Sequence, residues 1–267
     1  MPAGTILLRL ACLLLLLAGC GSHQEAVVSL QSTVEHLRVG VTADSPPLIF
    51  RRNGTITGLE AEFAKGLARF GNRKLKFVEL PWSDLIPALV DGRIDIIMSG
   101  MTITASRRYR IAFSRPYMIT GQVSLVRLAD LNRFSNGFTD LLNPTVTIGT
   151  VQGTTGNLFI EKNVVRAKKR TFSSPDRGVQ ALLDKEIDVF VYDLPMNFHA
   201  AAVHEQDGLT AVVTPMTREA LAWGIRRDDA ELLATANRYL DSLKESGALQ
   251  EMIIRWVPFY RQIYDRQ

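Results

Sequence analysis

The stretch Ala88–Thr102 (ALVDGRIDIIMSGMT) returns in altered form as Ala181–Pro195 (ALLDKEIDVFVYDLP), at a constant offset of 93 residues. Ala, Leu, Asp, Ile and Asp recur in order, Ala88 answering to Ala181 and Asp95 to Asp188. Each copy reads as the end of a helix, a tight turn, and a short apolar strand (Ile94–Met98, Ile187–Val191) of the kind buried on both faces of a parallel sheet. Leu-Leu-Asp-Gly-x-Ile-Asp is also an ordinary turn sequence, so a chance likeness between βαβ units is the competing explanation. A true repeat implies two similar α/β lobes. Ligands of open α/β sheets sit beyond the carboxyl ends of the strands. Ser99-Gly100-Met101-Thr102 and Tyr192-Asp193 are then expected to face each other across a cleft.

The first residues carry a processing signal. Arg9 precedes the apolar run Leu10–Ala18, too short to span a bilayer as a helix and suited to a signal-peptide core. The run ends in Leu17-Ala18-Gly19-Cys20, the pattern at which bacterial lipoprotein precursors are cleaved and the cysteine acylated. A plain secretory signal with an incidental cysteine is the alternative. Residues 1–19 are thus expected to be a lipoprotein signal peptide, Cys20 the lipidated first residue of the mature protein, and 20–36 a polar tether. Cys12 leaves with the signal, so the mature chain has one thiol, no internal disulfide and no cysteine-based metal site. No later segment is long and apolar enough to span a membrane, so only the lipid (palmitate among its acyl chains) ties the protein to one.

Removing Arg9 leaves 30 basic against 27 acidic residues, scattered along the chain. The densest basic cluster, Arg166-Ala-Lys168-Lys169-Arg170, lacks interleaved aromatics and reads as a solvated face rather than a nucleic-acid site.

Along the chain, Leu37–Val41 alternates as a strand and stops at Pro46-Pro47, and Asn53-Gly54 marks a turn. A helix over Glu60–Phe70 stops at Gly71, and a strand over Leu75–Leu80 leads to a helix over Asp84–Val90 capped by Ser83. After the first copy of the repeat, Gly121–Val126 is a strand. The chain then starts afresh with a strand over Val146–Val151 and a helix over Asn157–Lys162. The second copy is followed by a strand over Ala220–Arg226 and by helices over Asp229–Ser246 and Ala248–Trp256. The predicted organisation is a first lobe of residues 37–121 plus 226–267, an inserted second lobe of 126–216, and crossing strands at 121–126 and 216–226.

Thr104 has the character of an N-cap, which puts Arg107 in the first turn of a helix. The helix dipole disfavours a cation there by about 0.3–1 kcal/mol. A guanidinium so placed suits a ligand carboxylate, its best planar partner; a surface arginine beside Arg108 is equally compatible with position alone. Gly153-Thr154-Thr155 before a helix forms an anion site or simply a cap. Asp193, at the carboxyl edge of a buried strand, is either a helix cap or a partner for a ligand ammonium. Trp82, after a strand, belongs to a cleft wall or to the core. The histidines have no metal-type spacing, and no Gly-x-Ser-x-Gly, Walker or Gly-x-Gly-x-x-Gly motif follows a strand, so neither a metal nor a cofactor is expected.

Taken in series, Pro46-Pro47, Gly58-Leu-Glu-Ala-Glu, Trp82–Asp95, Ser99-Gly-Met-Thr-Ile-Thr-x-x-Arg107, Phe113-Ser-x-Pro-Tyr117, Gln152-Gly-Thr-Thr155, Asp188–Asp193 and Trp223-Gly-Ile-Arg226 carry a resemblance. From Leu37 to Trp256 the chain resembles the bacterial extracellular solute-binding proteins of family 3, polar-amino-acid receptors of ABC importers. The resemblance implies the two-lobe clamshell (periplasmic-binding-protein) fold of class α/β with two crossover strands. It implies a non-enzymatic, monomeric receptor outside the cytoplasm that delivers an amino acid to an ABC permease. It also implies that Arg107 holds the ligand α-carboxylate with the Thr154–Thr155 region, that Asp193 holds the α-ammonium, and that Ser99, Gly100 and Thr102 add polar contacts. Trp82, Phe50 and Met101 are available to wall an apolar or aromatic ligand. Two positions depart from the family: Ser45 stands where an aromatic commonly precedes Pro-Pro, and Thr42 where receptors for basic ligands tend to carry an acid. Both speak against a histidine- or lysine-type ligand and leave the side-chain preference open. Cyclohexadienyl dehydratases use the same fold, but their catalytic Glu aligns at or beside Asn157, and an amide is not a general acid. Ligand sensing for a membrane kinase is a third possibility.

Overall fold

The computed structural model describes residues 35–261. The expected signal peptide, Cys20 and nearly all of the tether lie outside the described residues. Two five-stranded sheets organise the chain, and they share one plan. In the first, strand His36–Val41 runs parallel between Lys74–Glu79 and Ile96–Ile97, and Gly224–Ile225 and Ala112–Phe113 extend the sheet antiparallel. In the second, Thr147–Val151 runs parallel between Lys168–Phe172 and Val189–Asp193, and Gln122–Arg127 and Leu209–Ala211 extend it antiparallel.

The sequence repeat has a physical basis in these sheets. Asp95 donates its N–H to Arg38 O and accepts Arg38 N–H on its carboxylate, both at 2.8 Å; Asp188 does the same with Thr147, again at 2.8 Å. Ile94 and Ile187 fill equivalent space over a glycine of the neighbouring strand: a Cβ on Gly40 or Gly149 would meet Ile94 Cδ1 at 2.2 Å or Ile187 Cδ1 at 2.4 Å. The repeated Ile and Asp therefore fasten each copy to the adjacent parallel strand of its own sheet, and the echo is structural rather than accidental.

The regular pairing is shorter than predicted in the first copy, Ile96–Ile97, and later in the second, Val189–Asp193. Ile94 and Ile187 still belong to the turn, their N–H groups returning to Ala88 O and Ala181 O. Ser83 does not cap the next helix. A 3-10 turn over Trp82–Asp84 leads directly into helix Leu85–Val90, and the Ser83 hydroxyl donates to Asp84 instead.

The crossing strands also differ from expectation. Gly121–Val126 is not a crossing; residues 122–126 are buried, and Gln122–Arg127 lies inside the second sheet beside Val189–Asp193. The predicted single strand Ala220–Arg226 is divided. Glu219–Leu221 pairs with Met118–Thr120 in a two-stranded ribbon, and Gly224–Ile225 joins the first sheet. Between them the Trp223 backbone exchanges hydrogen bonds with Ser114. The ribbon therefore links the two sheets, and the chain passes through it once in each direction.

Apolar helix faces cover the sheets. Leu59–Phe70 buries Leu59, Phe63 and Leu67, and Phe63 packs edge-on against Tyr117 and Trp223. Helix Ala248–Trp256 is tied back by hydrogen bonds from Arg255 and Trp256 to Glu62. The basic cluster falls partly on edge strand Lys168–Phe172, where charged side chains discourage pairing with another chain.

Candidate functional site

Local structure brings the cation into place. The Thr104 hydroxyl caps helix Ala105–Arg110 by accepting Arg107 N–H at 3.2 Å, as its sequence position implies. The Arg107 side chain turns inward, is only 8% exposed, and lies over the Trp82 ring at 5.1 Å. Its guanidinium donates to Thr102 O at 2.8 Å and, across to the other lobe, to Gly153 O at 3.4 Å. Burial pushes its pKa down while Asp193 and Glu219 push it up, and a guanidinium stays charged through such shifts.

Asp193 faces it from the second lobe. The residue occupies the N-cap position of helix Leu194–Val203 but makes no capping bond with its side chain. Its Oδ1 accepts from Gln122 Nε2 at 2.6 Å instead. Burial above all, with Glu219 nearby, raises its pKa to about 8, against the opposing influence of Gln122 and Arg107. Of the two sequence-level alternatives for this carboxylate, capping is thus excluded.

All eight residues expected to contact a ligand — Trp82, Ser99, Gly100, Thr102, Arg107, Thr154, Thr155 and Asp193 — line one narrow cavity, together with Ser45, Tyr192 and Met196. Their hydrogen bonds divide them by task. Ser99 Oγ accepts Thr42 N–H at 3.0 Å, and Gly100, at φ +67°, donates its N–H to Glu60 at 2.7 Å. Thr154 spends its hydroxyl on the helix, donating to Val151 O and capping Asn157 N–H. Thr102 and Thr155 both donate to Glu219. Trp82 is a cleft residue: its indole N–H reaches Gly153 O at 3.1 Å across the lobes. Where Ser45 leaves room, Tyr192 of the opposite lobe approaches it, 3.4 Å between the two hydroxyl oxygens. Phe50, read as a possible wall, packs against Trp256 and is not part of the lining; Met101 is buried in the first lobe.

Three polar residues at the site were not singled out from the sequence: Gln122, Glu219 and Glu60. Gln122 is fully buried and its amide N–H groups join Asp193, Thr155 and Glu219. Among the described residues no cluster of three His, Cys, Asp or Glu is arranged to hold a metal ion, and no helix is long and apolar enough to cross a membrane.

The family model for bacterial extracellular solute-binding proteins, family 3, matches residues 37–259, nearly all of the described chain. The protein belongs to that family. Among family 3 relatives, a probable histidine-binding protein of Neisseria gonorrhoeae is 28% identical over 252 residues, covering 92% of each chain. A cyclohexadienyl dehydratase of Pseudomonas aeruginosa is 29% identical over 262 residues, covering 94% of this chain and 93% of that one. A crystal structure of a putative ABC-transporter binding component from Wolinella succinogenes, complexed with lysine, superposes with a TM-score of 0.79 at 33% identity, covering 83% of this chain and 95% of that one. The clamshell fold of these amino-acid-binding proteins is the fold of this family 3 chain, and its two sheet-bearing lobes are the two halves of the repeat.

Proposed function

We propose that this family 3 protein captures a free α-amino acid between its lobes and delivers it to an ABC importer, acting as a monomeric receptor without catalysis. One observation carries the reading: Arg107 of the first lobe and Asp193 of the second are buried in the same cavity. One fixed cation and one carboxylate on opposing walls suit a zwitterion spanning the gap. The names of the relatives, histidine-binding in one and lysine-complexed in another, support the same class. The lobes close about the ribbon of Met118–Thr120 and Glu219–Leu221, with residues 37–117 and those from 222 onward on one side and 121–218 on the other. Calorimetric titration with the twenty common amino acids tests the assignment. At least one is expected to bind, with a fall in radius of gyration at saturation; if none binds, the reading fails.

The mature protein is held outside the cytoplasm by acylation at Cys20, as Leu17-Ala18-Gly19-Cys20 implies. Mass spectrometry of the membrane-extracted N-terminus is expected to show a lipid-modified Cys20, and an unmodified start at another residue refutes this.

The similarity to a dehydratase gives a second reading its footing. Against it, Asn157 bonds to Thr150 and accepts Gly153 N–H, and so supplies no acid. Aromatic product from prephenate or arogenate with purified protein would replace the receptor reading by an enzymatic one.

A further inference from the structure

Glu219 stands on the inter-lobe ribbon and gathers donors from both lobes. Its Oε2 accepts the Thr102 hydroxyl at 2.9 Å from the first lobe and the Thr155 hydroxyl at 2.8 Å from the second. Its Oε1 accepts the Thr217 hydroxyl at 2.7 Å and Gln122 Nε2 at 3.2 Å. An ionised carboxylate offers only acceptors, so each of these hydroxyl protons is committed to it. What Thr102 and Thr155 have left for the cavity is lone pairs, one of those on Thr155 being taken by Gln122 Nε2 at 3.1 Å. Beside Asp193, whose Oδ1 is held by the same Gln122 amide, they make this end of the site a set of acceptors facing ligand N–H groups.

The charges lean the same way. Two carboxylates, Asp193 and Glu219, are set against one guanidinium, Arg107, and among the described residues no ion pair involves Glu219. Glu219, Arg108 and Arg218 line an outer groove and not the ligand cavity, and of the three it is Glu219 that bonds to the cavity residues Thr102 and Thr155. Asp44, next to the lining residue Ser45, is a further carboxyl without an ion pair among the described residues and adds to the acidic side. Thr42, whose hydroxyl donates to Leu80 O, adds no charge. A neutral zwitterion, whose ammonium favours the ionised form of Asp193, satisfies Arg107 and Asp193 and leaves the Glu219 charge over. In a water-poor cleft such an excess weighs more than it does in bulk solvent.

We propose that Glu219 is a specificity-determining residue, which presents Thr102 and Thr155 as acceptors and makes the closed site select an amino acid carrying a second positive charge. The inference rests on the amino-acid reading above and goes further in naming the class. Arginine and citrulline test it, since they share length and shape and differ in side-chain charge; lysine and norleucine form a second pair. By calorimetry the wild type is expected to bind the cationic member of at least one pair about ten-fold or more tightly than its neutral partner. In Glu219→Gln that ratio is expected to shrink to within about three-fold of unity, and Glu219→Asp is expected to restore part of it. A role confined to folding or hinge stability weakens both members alike and leaves the ratio unchanged, and that result overturns the proposal. So does a neutral or acidic amino acid that outbinds every cationic one in the wild type. Absence of binding by any amino acid strikes the reading of the whole site; binding without charge preference strikes Glu219 alone.

Discussion

Arg107→Ala and Asp193→Ala are each expected to weaken amino-acid binding by at least about 30-fold while the protein stays folded. Truncating one partner of a desolvated, hydrogen-bonded charge pair costs about 2–5 kcal/mol, which corresponds to 30-fold up to several-thousand-fold in affinity. Both groups meet the conditions for that range. Each is buried, and each is held in place by neighbours before any ligand arrives: Arg107 by Thr102 O, Gly153 O and the Trp82 face, Asp193 by Gln122. A keto acid would leave Asp193 without a cationic partner, and a simple amine would strand Arg107. Only a ligand with both groups uses both walls. The fold is expected to survive because the two residues lie at strand and helix ends, outside the apolar clusters that hold each sheet. Arg107→Lys sharpens the test. It keeps the charge but loses the planar fork, and is expected to recover only part of the affinity. Calorimetry on all three variants with the tightest ligand of the wild type decides it; affinities equal to wild type in both alanine variants rule out the bridging geometry.

The parts of this design that were legible in the sequence are those in which one residue does one local job. Asp95 and Asp188, or Ile94 and Ile187, each fasten a strand to its immediate neighbour, so the same residue types recur at the same spacing. Thr104 caps its own helix three residues before Arg107, and the two are readable together. The ribbon was not legible. Met118–Thr120 and Glu219–Leu221 are three residues each, too short to show a period, and their pairing joins residues 99 to 103 positions apart. Gln122 and Glu219 were hidden for the same reason, since the partners that define them come from distant segments. In the sequence Gln122 is one polar residue within the predicted strand Gly121–Val126, and Glu219 precedes the predicted strand Ala220–Arg226.

Glu60 did leave a signal. In helix Leu59–Phe70 it falls at helical spacing from Phe63 and Leu67, on the stripe that the helix buries. An acid on a buried stripe calls for partners, and the structure supplies three. Oε1 accepts Gly100 N–H and the Tyr117 hydroxyl, both at 2.7 Å, and Oε2 accepts Trp223 Nε1–H at 3.0 Å. The helix N-terminus favours the negative charge as well. The carboxyl thereby ties the first helix to the glycine loop of the candidate site and to the aromatic core in one contact.

Replacing Glu60 is expected to destabilise the fold more than replacing Arg107, Asp193 or Glu219. Glu60→Leu leaves three buried donors without acceptors, at about 1–3 kcal/mol each, so a loss of at least about 3 kcal/mol is expected. That is a large share of the about 5–15 kcal/mol that stabilises a typical domain. Release of Gly100 is also expected to weaken ligand binding in whatever fraction remains folded. Glu60→Gln is milder but not neutral. With its amide oxygen toward Gly100 and Tyr117, its NH2 confronts the Trp223 N–H; flipped, it confronts Gly100 N–H. A protonated Glu60 has no such conflict, because Oε1–H can donate to the Tyr117 oxygen while both N–H groups remain accepted. Burial raises the pKa of Glu60 from 4.5 to about 7, despite its three donors. The native state therefore holds this proton where the unfolded chain has lost it. Its contribution is full below about pH 4.5 and declines as pH rises to about 7, by an amount on the order of 3 kcal/mol. Glu60→Gln cannot titrate, so the stability gap between wild type and this variant is expected to be widest near pH 5 and to narrow toward pH 8. Denaturant unfolding of the two proteins across that range measures the gap directly, since other titrating groups cancel in the difference. A gap that is constant with pH, or a Glu60→Leu protein as stable as wild type, removes Glu60 from the role of buried anchor.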